Sequence, residues 1–413
     1  MIFSLASRII LVLALASPLA HAAGDPATAA VNHLGLALLR ETKGNALVSP
    51  WSLQQALAMV YAGAHGKTRD EMTAALGYSA DEAELHKGLK CLREAGDALA
   101  KDGQGSKPLR TANRLFVAAN LPLKTEWLDL TKRFYGAVPQ SLNFAPPSAA
   151  TRAIDDWVAE QTDRLIPSVI PDGALKRDTK LVIANALYFD LPWDELFTKE
   201  LTKTEPFFTA PGRSKNVPLM FKQHRQRYAH KDGFQIATLP YAGEQVQFVV
   251  VLPDDANDLA KVEAALTTDL MAECTSMSRA ELRLTLPRLK MEPPSMPMKE
   301  SLEKLGMKSA FSDGADLTGI WHSEALGNPM IDEIFHRTFV ELDENGTKAA
   351  ASTAVILRPK NGVPREVPHM AVRCDHPFVF AIQHVPTGAC LFVGRVADPE
   401  PAMSATVRNK PKK

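Results

Sequence analysis

Apolar and polar positions alternate in two regimes along this chain, helical in the first hundred residues and strand-like later. From Thr28 to Arg40, alanines and leucines recur at helical spacing and predict a helix with one apolar face. Ser49 is placed to cap the next helix, Pro50 suits its first turn, and Leu53, Ala56, Leu57, Val60 and Tyr61 continue the period up to Gly63. Thr68 and Glu71 predict a capping box for a third helix that ends at Gly77, and a fourth is expected over Asp81 to Ala100. Strands are predicted at Thr111 to Ala119 and at Leu181 to Asp190, with an amphipathic helix, Ala153 to Ile166, between them. Later come QVQFVVVLP, ELRLTLPRL, HRTFVELD, PFVFAIQH and CLFVGRV, all strand-like. Helices lead and strands follow, which predicts an α+β class with largely antiparallel sheets.

Within that pattern the stretch from Asp343 to Pro368 stands apart. It begins as the tail of the strand His336 to Asp343, turns at Asn345-Gly346, and runs through small and β-branched residues from Thr347 to Ile356 without proline or glycine. Such a run can enter a sheet with little side-chain bulk to place. Thr347, Ala349, Ala351, Thr353 and Val355 would share one face, and Lys348, Ala350, Ser352, Ala354 and Ile356 the other. Pro359, Pro364 and Pro368 then forbid a central strand much beyond Leu357. On these residues alone, an edge strand with a long surface loop is equally compatible. Asn185 is a second oddity: it interrupts the apolar run LVIANALYF, and a buried amide without partners would cost ~1–3 kcal/mol.

Composition narrows the classes. The 413 residues, 46% hydrophobic, can bury a large core, and length alone suggests two or three domains. Arg8, the apolar run Ile9 to Ala16 and the A-x-A site at Ala20 to Ala22 form a signal-peptide pattern over residues 1–22, from which a secreted protein, extracellular or periplasmic, is expected. Charge is balanced, which gives no general signal for nucleic acid or membrane. Residues 400–413 are locally basic and read as a disordered tail. Lys87, Lys90 and Arg93 share a helix with Glu82, Glu84 and Glu94, a mixed face better suited to solvent than to a polyanion. The hairpin at Pro386-Thr387-Gly388 would hold Cys374 and Cys390 too far apart to bridge; the other pairings among Cys91, Cys274, Cys374 and Cys390 stay open, with free, buried thiols the expectation. No C-x-x-C or H-E-x-x-H spacing marks a metal site, and no G-x-S-x-G elbow marks a hydrolase.

The motifs N-A-L-V-S-P-W-S-L, G-A-H-G-K-T-R-D-E-M, A-N-R-L-F, A-N-A-L-Y-F before Trp193, L-P-Y at 239–241, F-S-D-G-A-D-L-T-G, H-R-T-F-V-E-L-D-E-N-G-T-K-A-A-A-S-T and F-V-G-R-V occur in that order from about residue 28 to residue 399. The chain thereby resembles the serpin family of protease inhibitors. The resemblance implies a single domain over 28–399 with three β-sheets, eight or nine helices and an exposed reactive-centre loop at about 344–368. It also implies that a protease attacks the loop as a substrate and is trapped as the cut loop inserts into the large sheet, the inhibitor supplying no catalytic residue and no cofactor. It gives hinge roles to Glu344, Gly346, Thr347, Ala349, Ala350, Ala351, Ser352 and Thr353. Ser49, Ser52, Asn185 and His336 match the cluster where the strands part, the shutter, and Trp193 the aromatic at the breach. The family's hinge spacing puts the reactive bond at Lys360–Asn361, which implies a trypsin-like serine protease as partner and a monomeric inhibitor. A carrier-like, non-inhibitory serpin and an inhibitor of cysteine proteases remain the alternatives. Lys348, Asp155 and the pair Asp163-Arg164 depart from the usual pattern. Asn345-Gly346-Thr347 is also a glycosylation sequon, expected to be unused because a sugar there would hinder insertion.

Overall fold

The computed structural model describes residues 25–78, 81–101, 108–322, 329–347 and 369–400. Nine α-helices occur among them: α1 (Pro26–Glu41), α2 (Pro50–Tyr61), α3 (Gly66–Leu76), α4 (Glu82–Lys101), α5 (Thr125–Leu130), α6 (Pro147–Gln161), α7 (Leu259–Ala265), α8 (Thr268–Glu273) and α9 (Lys299–Lys304). The strands are β1 (Ala46–Val48), β2 (Leu109–Ala118), β3 (Gln140–Leu142), β4 (Leu181–Phe189), β5 (Leu191–Pro192), β6 (Lys203–Ala210), β7 (Arg213–Lys231), β8 (Phe234–Pro240) and β9 (Val246–Pro253). They continue with β10 (Arg279–Pro287), β11 (Leu289–Met291), β12 (Met296–Pro297), β13 (Glu333–Asp343), β14 (Gly346–Thr347), β15 (Met370–Arg373), β16 (Phe378–His384) and β17 (Cys390–Val396).

Three sheets result. The 19-residue strand β7 is shared by two of them, pairing with β8 at Tyr228 to Lys231 and with β6 and β10 along the rest of its length. One sheet runs β1-β17-β16-β9-β8 into the end of β7, and the second is β6-β7-β10-β15. The third has the order β3-β2-β4-β13, with β14 and β5 beyond. Every residue of β4 is buried, so its nine-residue apolar run covers both faces, as read from its sequence. Helix α2 is likewise buried all round, and its start lies under β4 and β13. One contiguous core runs from Ala27 to Val396, so the two or three domains suggested by length are one.

Local signals were mostly read correctly, with instructive exceptions. Ser49 caps α2, its hydroxyl accepting from the Ser52 amide. Thr68 and Glu71 form no capping box. Helix α3 begins two residues before Thr68, and both side chains reach across the chain instead. The Thr68 hydroxyl accepts from the Asp316 amide, and the Glu71 carboxylate from the amides of Lys308 and Ser309. The helix expected to end at Ile166 ends at Gln161, and Asp163 and Arg164 follow with φ of 49° and 60°. That left-handed geometry explains why glycine would suit the position. Asp155 accepts from the amides of Val169 and Ile170, anchoring the return of the chain after α6. All four cysteines are free, and Cys274, Cys374 and Cys390 are buried as expected, whereas Cys91 is half-buried.

Gly63 and Gly319 meet backbone to backbone: the Gly319 amide donates to the Gly63 carbonyl at 3.0 Å. A β-carbon on Gly319 would lie 2.7 Å from the Gly63 α-carbon, so one main chain would have to move. Gly319→Ala is expected to cost about 1–3 kcal/mol. Gly314→Ala, where only the Ser312 hydroxyl approaches, at 3.6 Å, should be nearly silent. Denaturant midpoints of the two variants test this contrast.

Candidate functional site

The site is the seam between β4 and β13. These strands are parallel neighbours in register from Val182–Glu333 to Tyr188–Phe339. At the middle of the seam, Asn185 lies opposite His336 on one side and opposite Asn113 of β2 on the other. The Asn185 carbonyl oxygen accepts from the Ser52 hydroxyl at 2.8 Å and from His336 Nδ1 at 2.7 Å. His336 Nε2 accepts the Ser49 amide at 3.0 Å, so the ring is neutral and carries its proton on Nδ1. Burial pushes the imidazole down to about 3, which agrees with that tautomer. Ser49, Ser52, Asn185 and His336, singled out from the sequence, are therefore one fully buried network tying α2 to both strands of the seam. Asn113 was missed. Its amide donates to the Ser52 carbonyl at 3.2 Å, and the only hint was its polarity inside A-N-R-L-F.

At one end of the seam the chain turns back. Leu342 pairs with Leu289 of β11 on one edge and with Thr347 of β14 on the other, so β14 lies on the β4 side of β13. Its other edge pairs with β5, Gly346 opposite Pro192 and Thr347 opposite Leu191. The two-residue strand β14 is thus wedged between β13 and β5, in line with the seam and antiparallel to β13. Glu344 and Asn345 make the turn, one residue earlier than expected. Gly346 has φ of 149°, and a β-carbon there would sit 2.3 Å from the Leu191 carbonyl oxygen, so only glycine fits. Thr347 is fully buried, and its hydroxyl is hydrogen-bonded to the Tyr241 hydroxyl at 2.7 Å.

Trp193 holds this turn from below. Its amide donates to the Asn345 carbonyl and its indole N–H to the Asp343 carbonyl, each at 2.9 Å. The ring stacks on Tyr241, centroids 4.5 Å apart and 16° between planes. Glu344 is almost wholly buried. Burial alone would raise its carboxyl, but hydrogen bonds from Arg288 and Thr202 outweigh that and hold it below the usual carboxylate range. Arg288 Nε lies 2.8 and 2.9 Å from the two carboxylate oxygens, a charge-assisted bidentate contact. Arg288, Thr202 and Tyr241 escaped sequence reading, since nothing local links residues 56, 142 and 106 positions away from their partners. The Asn345 amide donates to the Asp343 carboxylate, so the sequon side chain is engaged in the turn. Lys360, Asn361 and the hinge residues Ala349, Ala350, Ala351, Ser352 and Thr353 lie outside the described residues.

The family model described as Serpin (serine protease inhibitor) matches residues 29–399. Over 366 residues the chain is 36% identical to the leukocyte elastase inhibitor of Bos taurus, covering 86% of this chain and 93% of that protein. It is also 36% identical to serpin B8 of Homo sapiens over 362 residues, with the same coverage of both. Among solved structures, the thermophilic serpin tengpin in its native state matches with a TM-score of 0.79 at 27% identity, over 90% of this chain and 94% of that one. Uncleaved ovalbumin matches with a TM-score of 0.76 at 28% identity, over 90% of this chain and all of that one. The chain belongs to the serpin family.

The relatives correct one expectation. Leukocyte elastase inhibitor, serpin B6 and serpin B8 belong to the branch of the family that is intracellular and lacks a signal peptide, against the secreted localisation expected from residues 1–22. A short apolar run with an A-x-A site is a local pattern only, and here it points away from the company the rest of the chain keeps.

His336 makes the site sensitive to acid. Its pKa is about 3 in the folded chain against an ordinary 6.5, so the unfolded chain takes up a proton that the folded one refuses. Stability therefore falls as pH drops below 6.5, by about 2 kcal/mol between pH 7 and pH 5 from this residue. His224 and His384, both near 4, add to the slope in the same direction. Glu344, held below its ordinary value of 4.5, adds a loss in the same direction that sets in as pH falls toward that value and the unfolded carboxylate takes up its proton. His336→Gln, whose amide can both accept from Ser49 and donate to Asn185, should flatten the pH dependence of the thermal midpoint between pH 7 and 5. An unchanged slope would contradict this assignment.

Proposed function

We propose that this serpin inhibits a trypsin-like serine protease that attacks the Lys360–Asn361 bond. The seam opens as the cut loop enters, and Ser49, Ser52, Asn185 and His336 act as its latch. Glu344, Gly346, Thr347 and the small residues 349–353 act as hinge, and Trp193 as the breach residue where entry begins. The observation that carries the reading is β14. Loop insertion is already known of serpins as a class; what β14 adds is a register for it. If the β14 register continues, Ile356 falls opposite Glu333 on one side and Val182 on the other, the pair at which the seam begins. The run Thr347 to Ile356 that reads as strand-competent is therefore as long as the slot it would fill. Thr347 points inward, so Ala349, Ala351, Thr353 and Val355 would follow it inside, and Lys348 would remain on the outer face.

Insertion would replace one parallel ladder by two antiparallel ones, which pair slightly better per residue. The protease's serine would attack the Lys360 carbonyl, form the ester and release the Asn361 amine. Hydrolysis of that ester would then compete with zippering. The hinge carries no bulky residue to slow the zipper. The cationic Lys360 side chain suits the carboxylate of a trypsin-like pocket. Arg358 is a poor alternative because Pro359 follows it, and Arg365 would require an unusually long loop.

Relatives named leukocyte elastase inhibitor favour a second reading, an elastase-like target cutting after one of the small or branched residues of the same run. Incubation with trypsin and with elastase, followed by denaturing gels and mass spectrometry of the released peptide, separates the two. A band at the summed mass with trypsin, and a peptide beginning at Asn361, is expected. A stable band only with elastase would replace the specificity assignment, and cleavage without any such band would remove the inhibitory one. The cleaved chain should also melt at a higher temperature than the intact one, opposite to the usual effect of a nick. Ala351→Arg should convert the inhibitor into a substrate, because a charge would have to enter the inner face of the sheet. Ala351→Ser should retain trapping, and equal trapping by both variants would exclude insertion through this hinge.

A further inference from the structure

The sheet β6-β7-β10-β15 has a solvent face that the inhibitory reading does not use. Its register sets Arg227 opposite Arg279, Arg225 opposite Glu281, and Arg283 between Gln223 and Ala371. Residues directly opposite in a ladder share a face. The alternate positions His224, Leu282 and Leu284 are buried, so Gln223, Arg225, Arg279, Arg283 and Ala371 look outward, and all five are exposed. Arg279 approaches Glu244 at 3.6 Å, and Arg227 hydrogen-bonds Gln247. Arg225 and Arg283 hold no ion pair among the described residues.

Two further facts give this face a partner. Arg283 lies beside Ala371, two residues after His369, where the chain returns from the loop. The loop sequence adds charge of the same sign: residues 348–368 hold Lys348, Arg358, Lys360 and Arg365 against a single acid, Glu366. Residues 348–368 lead directly into β15, so a protease engaging them would meet the sheet edge that carries Arg283. Resting on the inhibitory reading, we propose that the β7–β10–β15 face docks an acidic patch of the attacking protease and sets which trypsin-like enzyme reacts fastest. Charge across such a face acts on encounter rate more than on final affinity. Glu281 and Glu244 interrupt the arginines, which suits the mixed surface of a folded protein better than a uniform polyanion.

An anionic and a cationic trypsin share the same primary pocket and differ in surface charge, so they isolate the face from the loop. The rate of loop cleavage is followed over NaCl concentrations from roughly 50 to 500 mM, whether or not the protease is then trapped. The native protein should react about 10-fold faster with anionic trypsin at low salt, and the advantage should vanish at high salt. Arg225→Glu combined with Arg283→Glu should abolish it, and the double Gln variant should fall between. Both changes lie on exposed positions, and an unaltered thermal midpoint certifies the fold. Equal rates and salt slopes for the native and double-Glu proteins would overturn the proposal. So would acceleration by heparin that is lost in the double-Glu variant, which would make the face a polyanion site. Cleavage without trapping, with the charge ranking intact, would defeat the inhibitory reading and leave the docking face standing.

Discussion

The parallel pairing of β4 with β13 is the contact on which the rest depends. Two strands distant in sequence lie side by side, seven residue pairs in register, with antiparallel neighbours on their outer edges. A parallel pair is the weaker kind of ladder, and here side chains reinforce it: Tyr188 stacks on Phe339 at one end, and one buried polar level lies at the middle. That level is Asn185 and His336, joined through Ser49 and Ser52 to the start of α2. Every polar atom there is out of water, so each contact acts in a medium where an unmade hydrogen bond is expensive. The seam is thereby held by a few well-placed groups, and the proposed insertion would exchange it for antiparallel pairing.

The other end of the seam supplies the alternative partner. Gly346 and Thr347 already occupy two positions of an antiparallel strand between β13 and β5. Trp193, Tyr241, Arg288 and Thr202 grip that turn by its backbone carbonyls, its buried hydroxyl and its one buried carboxylate. The turn is therefore held at its root by these four side chains. A polar network at mid-strand and an anchored turn at the strand end are the two features on which the proposed insertion rests.

Much of this could be read from the chain alone, and the reason is local. The apolar continuity of Leu181 to Phe189 forced burial on both faces, and the single amide within it finds partners through its oxygen, while its buried Nδ2 has none among the described residues. Small residues after Gly346, and prolines from Pro359 onward, bounded the segment able to join a sheet. Ser49 before Pro50 specified a cap. These are properties of short windows, governed by backbone sterics and side-chain period. Family resemblance then assigned roles to Ser52, His336 and Trp193 that no window could, since each meets its partner across more than a hundred residues.

What only the tertiary structure decided was pairing. Thr68 and Glu71 have the spacing of a capping box, yet they bond to Asp316, Lys308 and Ser309, because helix α3 starts earlier and a passing chain offers better donors. Arg288 finds Glu344, Tyr241 finds Thr347, and Asn113 finds the carbonyl of Ser52, none of them foreseeable from its own surroundings. The sequence by itself determined which stretches could be strands, which side chains had to be buried and how far the run without proline or glycine extends. The folded chain decided the register, with Glu333 opposite Val182 and Thr347 opposite Leu342, because register is set by contacts between distant segments and not by the preferences of either one.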